Sequence, residues 1–153
     1  HWKLTLAMFN ARTLASKASL TVLFEELAGM KWDVIGLSEV RRPNEAYTVL
    51  KDGHVLCYRG LPERQELGVG SLVNKCKAGN IDEFYSINER VAGIVIKLIK
   101  LYKLKVVQAY APTCSYDEQA VESFYEDVES VMRKVKTQYF FFLERFFFFL
   151  GSV

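Results

Sequence analysis

The feature that most constrains this chain is Val34-Ile-Gly-Leu-Ser-Glu39-Val-Arg41-Arg42, an apolar or small run that ends on an acid and then two bases. Such a run reads as a strand covered on both faces. A carboxylate at its C-terminal end then stands at the rim of a sheet, where open α/β sheets place their ligands. A divalent cation needs such an anionic oxygen, and the neighbouring arginines suit a phosphate. On this stretch alone, a surface Glu39 paired with Arg41 or Arg42 is the simpler reading.

The rest of the chain supplies a setting for that strand. Trp2 to Phe9 alternates, with Leu4, Leu6 and Met8 on one face and Lys3 and Thr5 on the other, as a strand does. Ser16 or Ser19 can cap a helix in which Leu20, Leu23, Phe24 and Leu27 fall on one stripe, and Gly29 closes it. A helix between two strands implies a crossover and parallel neighbours. After Pro43-Asn44 the rhythm becomes that of short hairpins. Strand-like runs cover His54–Arg59, Val69–Asn74, Asp82–Ser86, Val91–Leu98 and Tyr102–Tyr110, with turn residues between them. Ser115 and Glu118 form a capping box for a long amphipathic helix. Its apolar stripe is Val121, Phe124, Tyr125, Val128, Val131, Met132 and Val135. The pattern predicts an α/β domain with mixed sheets and helices packed outside.

With 153 residues the chain fits one domain. Its net charge of +2 argues neither for nor against nucleic acid. Cys57, Cys76 and Cys114 lack metal-site spacing, so no disulfide partner is expected; the first two read as small core residues of a protein from a reducing compartment. No run is long enough for a bilayer, which takes about 20 apolar residues, and no membrane association is expected. From Phe140 to Phe149, seven of ten residues are Phe, a run with no polar face for helix or strand. It reads as an exposed, aggregation-prone tail, with a fully buried strand as the alternative.

Polar groups at three strand ends can carry chemistry: Asn10, Glu39 and Tyr110. Asn10 can bond a phosphate oxygen or serve as a turn residue. Tyr110, in Gln108-Ala-Tyr110-Ala-Pro112-Thr113, can donate to a phosphate oxygen or satisfy its hydroxyl in the core. Arg12, Arg41 and Arg90 can each contact phosphate or sit as ion-paired surface residues. Tyr58, Arg59 and Arg64 are weaker candidates for a nucleic-acid surface.

The order of segments carries more than any one of them. Asn10-x-Arg12-Thr-Leu, Asp33-Val-Ile-Gly-Leu-Ser-Glu39-Val-Arg41, Gly68-Val-Gly70, Asn88-Glu-Arg90 and Gln108-Ala-Tyr110-Ala-Pro-Thr together resemble the endonuclease/exonuclease/phosphatase superfamily. Within it the likeness is to endonuclease domains of non-LTR retrotransposons and to craniofacial-development-protein-like genes. It runs over residues 3–136, so 1–136 reads as the N-terminal part of such a domain and 137–153 as an aberrant Phe-rich tail.

The resemblance implies a four-layer α/β/β/α sandwich with the site at the strand ends between two sheets. It implies metal-assisted phosphodiester hydrolysis, with Glu39 holding Mg²⁺ (or Mn²⁺) and Asn10 positioning the metal–phosphate assembly. Tyr110 would bond a non-bridging oxygen, and Arg12, Arg41 and Arg90 would contact phosphate. Gly68 and Gly70 would allow a tight backbone entry to the next strand. DNA or another nucleic acid is the implied partner, and nucleus or cytoplasm the implied location.

Two motifs of that family have no counterpart in this sequence, Gly-Asp-x-Asn and Ser-Asp-His, which orient the attacking water and move its proton. The two histidines, His1 and His54, match neither. The expectation is a truncated domain with little or no nuclease activity, marginal stability as a monomer, and self-association through exposed edges and the Phe tail. The alternatives are a non-catalytic remnant that binds nucleic acid or protein, and a non-functional fragment.

Overall fold

The protein is described here by a computed structural model covering residues 3–11, 14–99, 101–112, 118–134 and 137, together with the backbone of 139–144. In chain order the elements are β1 (Leu6–Asn10), α1 (Lys17–Leu27), β2 (Val34–Ser38), β3 (Glu45–Val49), β4 (Val55–Arg59), β5 (Val69–Val73), α2 (Lys75–Ala78), β6 (Ile81–Asn88), β7 (Val91–Lys97), β8 (Lys103–Ala109), α3 (Glu118–Lys134) and β9 (Tyr139–Glu144). They form a five-stranded sheet, β1-β2-β5-β4-β3, and a four-stranded sheet, β6-β7-β8-β9.

Side-chain alternation sorts the core into layers. In β2, Ile35 and Leu37 point outward and pack with Leu23 and Leu27 of α1 and with Leu56 and Leu72. Val34 points the other way, with Val55, Cys57 and Val73, onto Ile94, Ile96, Leu104 and Val106 of the second sheet. Beyond that sheet, Val95 and Val107 receive Phe124 and Val131 of α3. The result is the expected α/β/β/α sandwich. The α1 crossover makes β1 parallel to β2, whereas β2, β5, β4 and β3 pair antiparallel.

Several local expectations change. Ser16 is the cap of α1 and accepts from the Ser19 amide, and Gly29 follows the helix at φ 81°. The first strand is Leu6–Asn10, so Lys3 to Thr5 precede it, and Trp2 lies outside the described residues. β3 had no alternation to announce it, because on this outermost strand only Ala46 is even half-covered. Cys76 lies exposed in the short α2, whose cap Asn74 accepts from its amide, rather than in the core. Tyr125, assigned to the apolar stripe, points out at 54% exposure, while Phe124 beside it is buried. Ser115 and Val135 lie outside the described residues. So does much of the Phe-rich tail, but its backbone over Tyr139–Glu144 forms β9, parallel to β8 in the register Leu104↔Tyr139. Over those residues the tail is a sheet strand, because the otherwise unpaired backbone of β8 offers a ladder.

Cys57 sits fully buried between the sheets, and burial pushes its thiol up to about 12 from 9.0. The folded state therefore keeps a proton that the unfolded chain has lost above pH 9. Stability contributed by the neutral thiol is present below pH 9 and falls as pH rises towards 12, by roughly 4 kcal/mol in all. The Tyr85 hydroxyl, also raised by burial, adds the same sign from pH 10. Lys105, lowered by burial, opposes it just below 10.5. Urea titrations from pH 8 to 12 should show a steeper alkaline loss in wild type than in Cys57→Ala. Equal slopes would contradict the assignment to Cys57.

Candidate active site at the joined strand ends

β1 and β2 end level, with Asn10 opposite Ser38, and the Ala11 amide continues the ladder to the Ser38 carbonyl at 2.9 Å. Beyond Ser38 the backbone twists sharply: Glu39 and Arg41 both adopt φ 54°. Left-handed geometry costs a residue with a Cβ about 1–2 kcal/mol. It is held here by the Val40 amide on Gly68 O (3.1 Å) and the Arg41 amide on Leu67 O (2.7 Å). The twist keeps Val40 buried under α1 and leaves the Glu39 carboxylate half-buried between the sheets.

There it meets Tyr110. The Tyr110 hydroxyl donates to Glu39 Oε1 at 3.0 Å, a bond that ties the end of β2 in one sheet to the end of β8 in the other. The ring is 7% exposed and packs on Val69 and Ala92. Its backbone amide is fixed to Arg90 O at 2.8 Å. Arg90 Nη1 donates to Tyr110 O at 3.1 Å, with the guanidinium 5.5 Å from the ring centre. Asn88 accepts from the Arg90 amide at 2.9 Å and donates to Asp127 of α3 at 2.8 Å. Hydrogen bonds that pass through the Arg90 amide and the Tyr110 carbonyl as well as side chains thus link Asp127, Asn88, Arg90, Tyr110 and Glu39 from α3 to the rim.

Of the residues singled out from sequence, Glu39 and Tyr110 are brought together. Asn10 shares their strand-end level and, by alternation with Leu6 and Met8, faces the space between the sheets. Arg90 is half-buried and supports Tyr110 through its carbonyl and ring. Arg41 is exposed one residue past buried Val40, and Arg12 lies outside the described residues. Arg42, second of the basic pair, donates Nε to Leu14 O and lies 5.7 Å from the centre of the Tyr58 ring, fastening the loop before α1. Arg59 pairs with Glu45 at 3.3 Å. His54 is held by the Lys75 amide, which donates to Nδ1 at 2.9 Å, and stacks on Phe24, far along the sheet from Glu39.

Two residues were missed. Ser38 and Gln108 are fully buried, and among the described residues Ser38 Oγ and Gln108 Oε1 have no hydrogen-bond partner. Both face the inter-sheet layer beneath Glu39 and Tyr110. Their signal was a polar residue inside an otherwise apolar strand run, which is costly without a purpose.

Among the described residues, no three His, Cys, Asp or Glu side chains gather as a metal cluster. The Glu39 carboxylate, and the Asn10 amide at the same strand-end level, are hard oxygen donors. They fit Mg²⁺ or Mn²⁺, ions that bind through one or two protein oxygens and fill the remaining positions with water and phosphate.

Comparison with known proteins agrees with this geometry. No family model matches the chain. Craniofacial development protein 2 of Bos taurus is 28% identical over 127 residues, 83% of this chain and 21% of that protein. The Tragulus javanicus protein of the same name is 27% identical over 127 residues, 83% of this chain and 22% of that protein. The chain thus spans about a fifth of the length of these relatives. Among solved structures, the endonuclease domain of TRAS1, a telomere-specific non-LTR retrotransposon, superposes with a TM-score of 0.59 at 14% identity. That match covers 93% of this chain and 58% of the TRAS1 chain. AP endonuclease LMAP from Leishmania major gives 0.60 at 13% identity, over 86% of this chain and 47% of its own. The fold is the α/β sandwich of these endonuclease structures. Among the described residues, no helix is long and apolar enough to cross a membrane.

Proposed function

We propose that this chain carries the metal- and phosphate-facing part of a Mg²⁺-dependent phosphodiesterase site of the DNA-endonuclease type, and that by itself it binds nucleic acid without turning it over. The observation that carries the reading is the Glu39–Tyr110 hydrogen bond joining two sheets at their common strand ends. Glu39 holds the cation, which when bound supplies positive charge to the phosphate. Asn10 orients the same phosphate, and Tyr110 is placed to donate to a non-bridging oxygen as charge grows there. Arg41 adds positive charge at the rim, and Arg12, two residues after Asn10 in sequence, is a second cation for the phosphate. Hydrolysis also needs a group to orient water and accept its proton, and the sequence holds neither Gly-Asp-x-Asn nor Ser-Asp-His to supply it. Removing members of a catalytic unit costs orders of magnitude, so turnover falls away before binding does. The nucleus and the cytoplasm both suit such a protein.

The test is supercoiled-plasmid nicking with Mg²⁺ alongside DNA binding by fluorescence anisotropy, on monodisperse wild type and Glu39→Ala. We expect no nicking and a DNA affinity that falls steeply with salt, because phosphate contacts release counterions. Mg²⁺ should tighten binding in wild type and leave Glu39→Ala unchanged. Nicking that disappears in the variant would overturn the absence of turnover. Binding indifferent to both Mg²⁺ and Glu39 would overturn the site.

A further inference from the structure

We propose that the outer edge of β3 is a self-pairing interface, through which two copies of this chain join their five-stranded sheets antiparallel about a two-fold axis at Thr48. β3 ends the sheet order, and among the described residues β4 is its one neighbouring strand. The pairing Leu50 N to His54 O and Gly60 N to Asn44 O, both 2.8 Å, fixes which backbone groups face inward. In an antiparallel ladder these alternate, so Asn44, Ala46, Thr48 and Leu50 bond to β4 while Glu45, Tyr47 and Val49 direct their N–H and C=O outward. Such an edge is a template for another strand, and β3 has neither proline nor lysine within it to blunt pairing.

The side chains choose the partner. Tyr47 and Val49 are 52% and 64% exposed, unusually open for large apolar residues, and stand on one face. Antiparallel pairing about Thr48 sets Tyr47 of each copy opposite Val49 of the other, and Glu45 opposite Lys51. The symmetry makes each pair twice, as an isologous contact requires. Pairing about Tyr47 instead would set Tyr47 against itself and Glu45 against Val49, with no charge match. Glu45 binds Arg59 and Ser86 through Oε2, so Lys51 joins a network already seated at that edge.

The experiment is sedimentation velocity over a concentration series, with cross-linking in a Cys76→Ser/Cys114→Ser background. Wild type should dimerise reversibly. Thr48→Cys should form a disulfide-linked dimer on mild oxidation, because non-hydrogen-bonded partners bring Cα atoms to about 4.5 Å, and Tyr47→Cys should not. Tyr47→Pro, which removes an outward donor, should be monomeric with an unchanged circular-dichroism spectrum. Glu45→Lys should weaken association about tenfold, and adding Lys51→Glu should restore it. A wild type monomeric at every concentration overturns the proposal, as does a dimer that survives Tyr47→Pro. Cross-linking through Tyr47→Cys in preference to Thr48→Cys overturns the register.

Discussion

Gly70→Ala is expected to destabilise the domain by at least about 3 kcal/mol, a large fraction of the roughly 5–15 kcal/mol that holds a domain folded. Gly70 lies in β5 between Leu37 of β2 and Tyr58 of β4. A Cβ built there meets Cys57 O at 2.2 Å and Tyr58 Cβ at 2.9 Å. The nearest obstacle is the backbone of a neighbouring central strand, so no rotamer change relieves it. β4 must move off β5, and with it the ladder that holds the Glu39 turn against Leu67 and Gly68. Gly29→Ala is the control: nothing lies within 4 Å of its Cβ, but φ is 81°, so only the strain of about 1 kcal/mol applies. Urea unfolding of the two variants separates crowding from backbone strain. A Gly70→Ala protein within 1 kcal/mol of wild type would show that the sheet yields where this packing says it cannot.

Gly70 also shows what kind of information the sequence held. Gly-Val-Gly was legible as a tight backbone entry because only absent side chains make that pattern useful, but the atom it must clear belongs to Cys57, remote in sequence. The strands of the core were legible for the same local reason: β2, β4, β5, β7 and β8 are apolar runs bounded by turn residues. β3 was not, since an edge strand exposed on both faces leaves no alternation. At the site, Glu39 and Tyr110 stood out as polar residues at strand ends. Their mutual hydrogen bond depends on how two sheets face each other, which no local spacing encodes. That Arg90 holds the Tyr110 carbonyl was not legible, because an arginine in a loop carries no sign of its partner. Asn88 and Asp127, which anchor it, are 39 residues apart in the chain.

The Glu39 turn is where local preference and the fold conflict most openly. Two non-glycine residues in left-handed geometry, flanking a buried valine, form no turn that the sequence favours. The surrounding ladder holds them there, and the outcome is a carboxylate turned towards the other sheet. Strain of this kind concentrates where a side chain must be aimed, which accords with Glu39 as the centre of the proposed site.

The other large effect belongs to Lys105, in the middle of β8 and only 2% exposed. Alternation points it away from the first sheet, under the end of α3. Its ammonium donates to Met132 O at 2.7 Å and Val131 O at 3.3 Å, and the Tyr85 hydroxyl donates to Val131 O at 3.2 Å. Both carbonyls lie in the last turn of α3, where no intrahelical donor remains among the described residues and the helix dipole is negative. Lys105 is therefore an internal cap that fastens α3 to the second sheet, and with α3 the Asp127 end of the polar chain to Tyr110. Burial lowers its pKa, a cost these bonds outweigh while the helix stays docked. Lys105→Met keeps the methylene packing but takes the ammonium from Met132 O and leaves Val131 O with Tyr85 alone, for a loss of about 2 kcal/mol; Lys105→Ala adds a cavity and should lose about 4. Hydrogen exchange tells this apart from a general weakening. Amides in the last turns of α3 should lose protection in Lys105→Met before those of β2 and β5 do. Uniform loss across both sheets would mean that Lys105 acts as ordinary core filling and not as a cap.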